Sequence, residues 1–353
     1  MNNKSHILIG SVSRTQNDHR VYEKWGLFFK RTYPEHKVRI FAKKNTESPD
    51  DYFDFTHSLK KGRLLAPVNF LKLLFRTKPR LIVCTTFELL LPSIVFKITH
   101  LNSTKIVYDV IENYRLNILF QKRFNKTTKR VFSTSISIIE WISRPFIDFF
   151  FYSDVIYKTQ LTFLNENASY IPNYYSYSEI PKLEQTENFT CLLTGTLSSD
   201  YGLERGIDWF NEIKKHNPNA ELKILGQLHG SLPSELDSSA TLNTSNDWIS
   251  HKEILNAIAQ SDLVLMPYEW TESFYGCIPS KIYECLTIGT PFIITKSNHL
   301  DAFSELNGVH PITNKNEIQN LKLNTKLEPS TEFHFTSYYN SMREIINTLI
   351  IDN

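Results

Sequence analysis

Late in the chain three polar side chains, Ser280, Lys281 and Glu284, stand close together, directly after a loop that carries Gly276 and Pro279. The loop follows a short apolar run, Leu263 to Met266, closed by Pro267. Beyond Glu284, Gly289 interrupts the sequence, and Pro291 to Thr295 turns apolar again. That order predicts strand, loop, helix, stop and strand, a βαβ unit whose helix begins at Ser280. A helix start presents free backbone N–H groups at the positive end of its dipole, so Ser280 and Lys281 form a natural seat for an anion. Glu284 falls one turn further in, on the face that Lys281 shares. A phosphate at the helix start and a carboxylate one turn along suit a nucleoside diphosphate, with Glu284 accepting from ribose hydroxyls. The plain alternative is a solvated Lys281–Glu284 pair on a helix surface. A second pair of acids, Asp109 and Glu112, follows the apolar residues Ile106 to Tyr108. They fall at the carboxyl end of an expected parallel strand, where ligand sites of open α/β sheets gather. Capping of the next helix is the competing reading.

The elements that must position these residues can be read in order. Ile7 to Gly10 predicts a first strand and Ser11 to Gln16 a polar loop. Asn17 or Asp18 caps a helix whose apolar face runs through Val21, Trp25 and Phe28. Strands are expected at His36 to Ala42, Arg80 to Cys84 and Lys105 to Asp109, with a helix from Glu88 to about His100, and a further strand around Val155 to Tyr157. After a polar stretch with Pro181, a second series opens with the strand Phe189 to Leu193 and the sequence Thr194-Gly195-Thr196-Leu197. A turn leads to a helix ending near His216. Glu221 to Leu225 with Gly226 is the next strand and turn, and Ser250 to Gln260 the next helix. A helix near Leu300, a strand at Val309 to Ile312 and a last helix from Glu332 follow. Strands separated by helices argue for parallel sheets covered on both faces. The first loop lacks G-x-G-x-x-G, which argues against a dinucleotide site there.

Pro279-Ser280-Lys281-Ile282-Tyr283-Glu284 with Gly289-Thr290-Pro291 resembles the donor-site motif of GT-B glycosyltransferases of the large family 4 group. Asn17-Asp18-His19-Arg20-Val21 resembles that family's opening helix, Val107-Tyr108-Asp109-Val110-Ile111-Glu112 its strand end, and Ile171-Pro172-Asn173 the end of its first domain. The resemblance implies an α/β GT-B chain of two Rossmann-like parallel-sheet domains facing each other across a cleft. The first, 1–173, would bind the acceptor; 174–188 is a linker; 189–331 would bind the nucleotide sugar; and 332–353 is a helix crossing back to the first domain. The family's helix carries two glutamates: Glu284 matches the ribose-binding second, and Gly276 stands where the first would fall. Glu269 and Glu272 in the preceding loop are the acids that could replace it. Ile111 stands where the family has a histidine. Pro279, Ser280, Gly276, Gly195, Thr196, Gly226, Glu272 and Glu284 are then the donor-binding residues, and Asn17, Asp18 and Arg20 lie on the acceptor side. The catalytic assignments are Lys281, Arg205, Asp109 and Glu112. Arg205 stands in for the family's donor-site cations, although a plain surface residue fits it equally.

The implied function is transfer of a hexosyl or N-acetylhexosaminyl group from a UDP- or GDP-sugar to a glycan or lipid-linked acceptor. It would proceed with retention, in surface polysaccharide or glycoconjugate synthesis, without a cofactor or tightly held metal. Two alternatives stay open: a sugar-nucleotide epimerase on the same frame, and a non-catalytic partner subunit. The 353 residues suffice for two domains with sizeable cores. The balance of 39 basic against 37 acidic residues implies no nucleic-acid partner. Cys84, Cys191, Cys277 and Cys285 show no metal-binding spacing and read as reduced core thiols in a cytoplasmic protein. No run approaches the ~18 apolar residues of a spanning helix. Leu59 to Arg80 and Arg115 to Arg130 contain no acid and interleave basic with apolar residues. They fit docking at the inner, anionic face of a membrane and, equally, two helices with solvated basic faces.

Overall fold

The computed structural model describes residues 6–43, 54–58, 65–100, 103–121, 124–177, 179–183, 187–229, 240–245 and 249–350. The chain forms two compact units. One runs to Ser176 and takes back the chain from Phe335 onward; the other is Tyr177–His334.

In the first unit the strands are β1 (His6–Thr15), β2 (Lys37–Lys43), β3 (Asp54–Ser58), β4 (Leu81–Cys84), β5 (Lys105–Val110), β6 (Phe149–Tyr152) and β7 (Ala168–Tyr170). Among the described residues they make a parallel sheet in the order β3-β2-β1-β4-β5-β6-β7. Asp18 caps a π-helical segment, His19–Gly26, by accepting from the N–H groups of Arg20 and Val21, and this segment continues into α1 (Leu27–Thr32). Val21, Trp25 and Phe28 turn inward against Ile7, Ile9 and Val83 on one face of the sheet. The opposite face is covered by α2 (Ala66–Thr77), α3 (Leu90–Thr99) and α5 (Lys126–Ser143), with the short α4 (Tyr114–Phe120) beside α5. Gly10 points to that side because any Cβ would fall 2.7 Å from Leu89 and 2.8 Å from Phe70. Tyr108 reaches α5 there, donating to Glu140 at 2.9 Å.

Two expectations need correction. Val155–Tyr157 is no strand: the aromatic run Phe149–Tyr152 pairs with β5 instead. Ser153 then donates to the Ile111 carbonyl, and the chain turns through Asp154 into α6 (Tyr157–Gln160). Ser11 to Gln16 is largely strand rather than loop, since β1 continues past an irregularity to pair Thr15 with Lys43. The sequence also concealed β3, whose side chains are hydrophilic at Asp54, Thr56, His57 and Ser58.

The second unit holds β8 (Thr190–Leu197), β9 (Glu221–Leu228), β10 (Ala240–Ser245), β11 (Leu263–Met266), β12 (Phe292–Thr295) and β13 (Val309–Ile312). Among the described residues these form a parallel sheet in the order β10-β9-β8-β11-β12-β13. Its helices are α7 (Leu203–His216), α8 (His251–Ala259), α9 (Ser280–Ile288) and the short α10 (Asp301–Ser304). Strand order reverses between β8 and β11, and at such a switch point the carboxyl ends of the two strands open a crevice. Thr194 and Gly195 lie near the end of β8, and the loop after β11 leads into α9. The last helix, α11 (Tyr339–Ile350), belongs to the first unit, where Met342 and Ile346 join the core of Trp25 and Phe28.

Candidate functional site

The second unit brings together residues far apart in sequence. Pro279, with φ −57°, precedes the first turn of α9, and Ser280 and Lys281 occupy that turn. The Lys281 side chain crosses to β8, where its ammonium donates to the carbonyl of Thr194. It lies over Gly195 so closely that a Cβ there would fall 2.5 Å from Nζ. Gly195 therefore leaves room for a cation, and its φ of +107° suits glycine alone. Gly226, opposite Gly195 on β9, packs against it: a Cβ would come within 2.1 Å of the Gly195 carbonyl oxygen. Burial lowers the Lys281 pKa, with the nearby Glu284 carboxylate opposing the change. A cation held in this way is poorly solvated, and its field acts more strongly on an approaching anion. One turn on, Glu284 is buried and meets Nε2 of His251, the first residue of α8, at 3.2 Å. Thr196, next to Gly195, is exposed.

The loop between β11 and α9 is a packed aromatic structure. Trp270 stacks on Phe274 at 5.3 Å between ring centres and donates to the Thr295 carbonyl at 2.9 Å. Tyr268 is buried against the same Phe274. Arg205 donates to the Tyr268 carbonyl at 3.0 Å, so this guanidinium anchors the loop. Glu269 and Glu272 are exposed on it. Gly276 has φ +83°, where a glutamate side chain would be strained; backbone geometry thus accounts for the residue found there.

In the first unit, Arg20 and Asp109 form a fully buried two-pronged pair, with Nε and Nη2 at 2.7 and 2.6 Å from the two carboxylate oxygens. Trp25 adds a third donor at 2.7 Å, and Arg20 Nη1 also donates to the Ile171 and Pro172 carbonyls. Both oxygens of Asp109 are thereby engaged inside the protein, and the pair ties β5 to the π-helical segment and to the end of β7. Glu112 has different partners. It is half-buried after β5 and accepts from Arg14 and, at 3.0 Å, from Asn117. Arg14 also approaches Asp18 at 3.7 Å. Asn17, beside it, accepts from the Thr15 hydroxyl at 3.0 Å. Asp109 and Glu112, neighbours in sequence, thus serve separate clusters. Arg14 and His251 were both missing from the residues singled out by sequence. Arg14 sat in an expected loop; His251 carries one signal, its place at the start of a helix leaving the carboxyl edge of the sheet.

All four cysteines are buried, and none of them forms a disulfide. Among the described residues no helix is long and apolar enough to cross a membrane, and no group of His, Cys, Asp or Glu is arranged to hold a metal.

No family model matches the chain, and no curated protein matches it in sequence. Solved structures do match it end to end. The sucrose-phosphate synthase of Thermosynechococcus elongatus superposes with a TM-score of 0.66 at 11% identity, covering 99% of this chain and 100% of that one. HepE of Anabaena, in complex with UDP and glucose, gives 0.62 at 14% identity, covering 98% and 100%. WaaG, a glycosyltransferase involved in lipopolysaccharide biosynthesis, gives 0.58 at 12%, covering 98% and 92%. Together with the two parallel α/β units, these likenesses give the chain the GT-B fold of glycosyltransferases.

Proposed function

We propose that this protein is a glycosyltransferase that takes a sugar from a nucleotide-sugar donor bound in the second unit. The observation that carries this reading is the Lys281 ammonium held over Gly195, at the start of α9 and one turn from the buried Glu284. Cleavage of a donor breaks the bond between the anomeric carbon and a diphosphate oxygen. Negative charge grows on the diphosphate while the sugar approaches an oxocarbenium-like state. Lys281 and the N–H groups of Ser280 and Lys281 would meet that charge, and Glu284 would accept from the ribose hydroxyls. Structural neighbours carrying UDP or ADP support a nucleotide-sugar partner. The donor is a UDP- or GDP-sugar and needs no tightly held metal, and transfer retains the anomeric configuration. The acceptor is a glycan or lipid-linked glycan, in surface polysaccharide or glycoconjugate synthesis, at a cytoplasmic and peripheral location.

A panel of nucleotide sugars, with diphosphate release followed with and without a lipid-linked glycan acceptor, tests the reading. Release that depends on acceptor is expected. Conversion of the donor into a different sugar nucleotide without acceptor and without net diphosphate release would instead identify an epimerase. Failure of any UDP- or GDP-sugar to bind the intact chain would overturn the donor site.

A further inference from the structure

Helix α5 is arranged inside out. The positions it buries are Ser133, Ile136, Glu140 and Ser143, small or polar except for one. Its large apolar side chains lie outside: Trp141 is 62% exposed, and Val131, Ile138 and Ile142 each exceed half exposure. Neighbouring α3 buries Leu90, Ile94 and Phe96 but also exposes Leu91, Val95 and Ile98, spaced by four and three residues into one outer stripe. The two helices pack side by side on the same face of the first sheet. Scattered apolar side chains on a surface are ordinary, but two adjoining stripes are a patch that some partner covers.

Charge narrows the partner. Across α2, α3, α4 and α5 the sole acid is Glu140, which is buried and bonded to Tyr108. Lys72, Arg76, Arg115, Lys126 and Arg130 from the same helices are exposed. An outer surface of aliphatic side chains and one tryptophan, with cations and no exposed acid, matches an anionic lipid surface. The apolar groups enter the acyl boundary, Trp141 sits at headgroup depth, and the cations meet phosphates. A protein partner would not require so complete an absence of acids. We infer that the α3–α5 layer is a docking face for an anionic bilayer. Its cations come from the acid-free segments marked in the sequence, of which Lys60, Lys61, Arg63, Lys122 and Arg123 lie outside the described residues, while its exposed apolar residues on α3 and α5 lie beyond those segments. The inference deepens the peripheral location proposed above and rests on that part of the reading, but it concerns the other unit and no nucleotide.

The test is co-sedimentation of the full chain with vesicles of phosphatidylglycerol or of phosphatidylcholine at low salt. Binding to phosphatidylglycerol alone is expected, released as salt rises. The double variant Trp141→Ser, Ile142→Ser should bind at least about tenfold more weakly, and so should Lys126→Glu, Arg130→Glu. All four side chains are exposed, so unchanged circular dichroism and melting would show that the variants fold. Calorimetric binding of UDP by the same variants, compared with the parent chain, keeps this outcome separate from the donor site. Equal partition onto both vesicles, partition onto neither, or binding insensitive to both variants would overturn the inference. So would a dimer in sedimentation velocity that Trp141→Ser, Ile142→Ser dissolves, because the face would then belong to a second copy.

Discussion

At the scale of single residues, Lys281 and Glu284 are distinguished by what their side chains reach. Lys281 spans two elements to place a poorly solvated cation over a glycine, while Glu284 is buried against His251. Charge on a departing diphosphate increases toward the transition state, so a group aimed at it should act on turnover more than on binding. Lys281→Ala is therefore expected to lower kcat by roughly 10²- to 10³-fold, the range for losing one preorganised charge donor. KM for the donor should change little, and steady-state kinetics showing a raised KM at unchanged kcat would contradict the role. In the proposed donor site Glu284 would meet the ribose equally before and during reaction. Glu284→Ala should weaken nucleoside diphosphate binding at least about tenfold, since a hydrogen bond to a charged group contributes roughly 1.5–3 kcal/mol. Calorimetry on the folded variant measures this directly. The type and spacing of these two residues were legible in the sequence because both belong to one helix. His251 was not, because its nearness to Glu284 depends on how α8 and α9 pack.

At the scale of elements, periodic apolar patterns identified most helices and strands, and departures occurred where local pattern and burial disagree. β3 is hydrophilic yet adds an edge to the sheet through backbone pairing, and backbone hydrogen bonds leave no trace in composition. Helix α5 was not among the elements read from the sequence: its large apolar residues lie outside, and the side turned to the sheet is the one holding Glu140. Burial pushes the Glu140 carboxyl up to about 7, with the Tyr108 hydroxyl partly opposing the rise. In the unfolded chain it would titrate near the ordinary value of 4.5. Between those values the folded chain holds the extra proton, so this group's contribution to stability falls as pH rises from about 4 to about 7, and is level above. The cost at pH 8 is roughly 3 kcal/mol at 1.36 kcal/mol for each unit. Glu140→Gln keeps an oxygen for Tyr108 and removes the charge. It is expected to raise the melting temperature at pH 8 by roughly 6–12 °C and to leave it nearly unchanged at pH 4. Scanning calorimetry at the two pH values gives the answer; equal shifts at both would mean that the effect is packing and not ionisation.

At the scale of the whole molecule, the path of the chain matters as much as its elements. The first unit begins with β1 but is completed only by α11, after the entire second unit has been built. Phe335, Met342, Ile346, Leu349 and Ile350 lie buried with Trp25, Phe28 and Phe29. Phe335 also donates its backbone N–H to the Tyr175 carbonyl at 2.7 Å, which draws the returning chain beside the outgoing one. Sequence reading could mark α11 as a helix with an apolar face, and the family resemblance implied where it returns; its partners are more than 300 positions away, and no local pattern names them. Burial of each such side chain contributes roughly 1.5–3 kcal/mol, so together the five contribute roughly 8–15 kcal/mol. That equals the whole net stability of an ordinary domain, about 5–15 kcal/mol. Removal of residues 335–353 should therefore unfold the first unit even though every strand of its sheet remains. The second unit, whose core of Leu193, Trp209, Phe210 and Leu265 includes nothing from this helix, should survive. Limited proteolysis of the truncated chain, read by mass spectrometry, is expected to leave a resistant fragment close to 177–334 and to digest the rest. A truncated chain in which 6–176 resists digestion as it does in the full chain would show that the first unit holds itself together without α11.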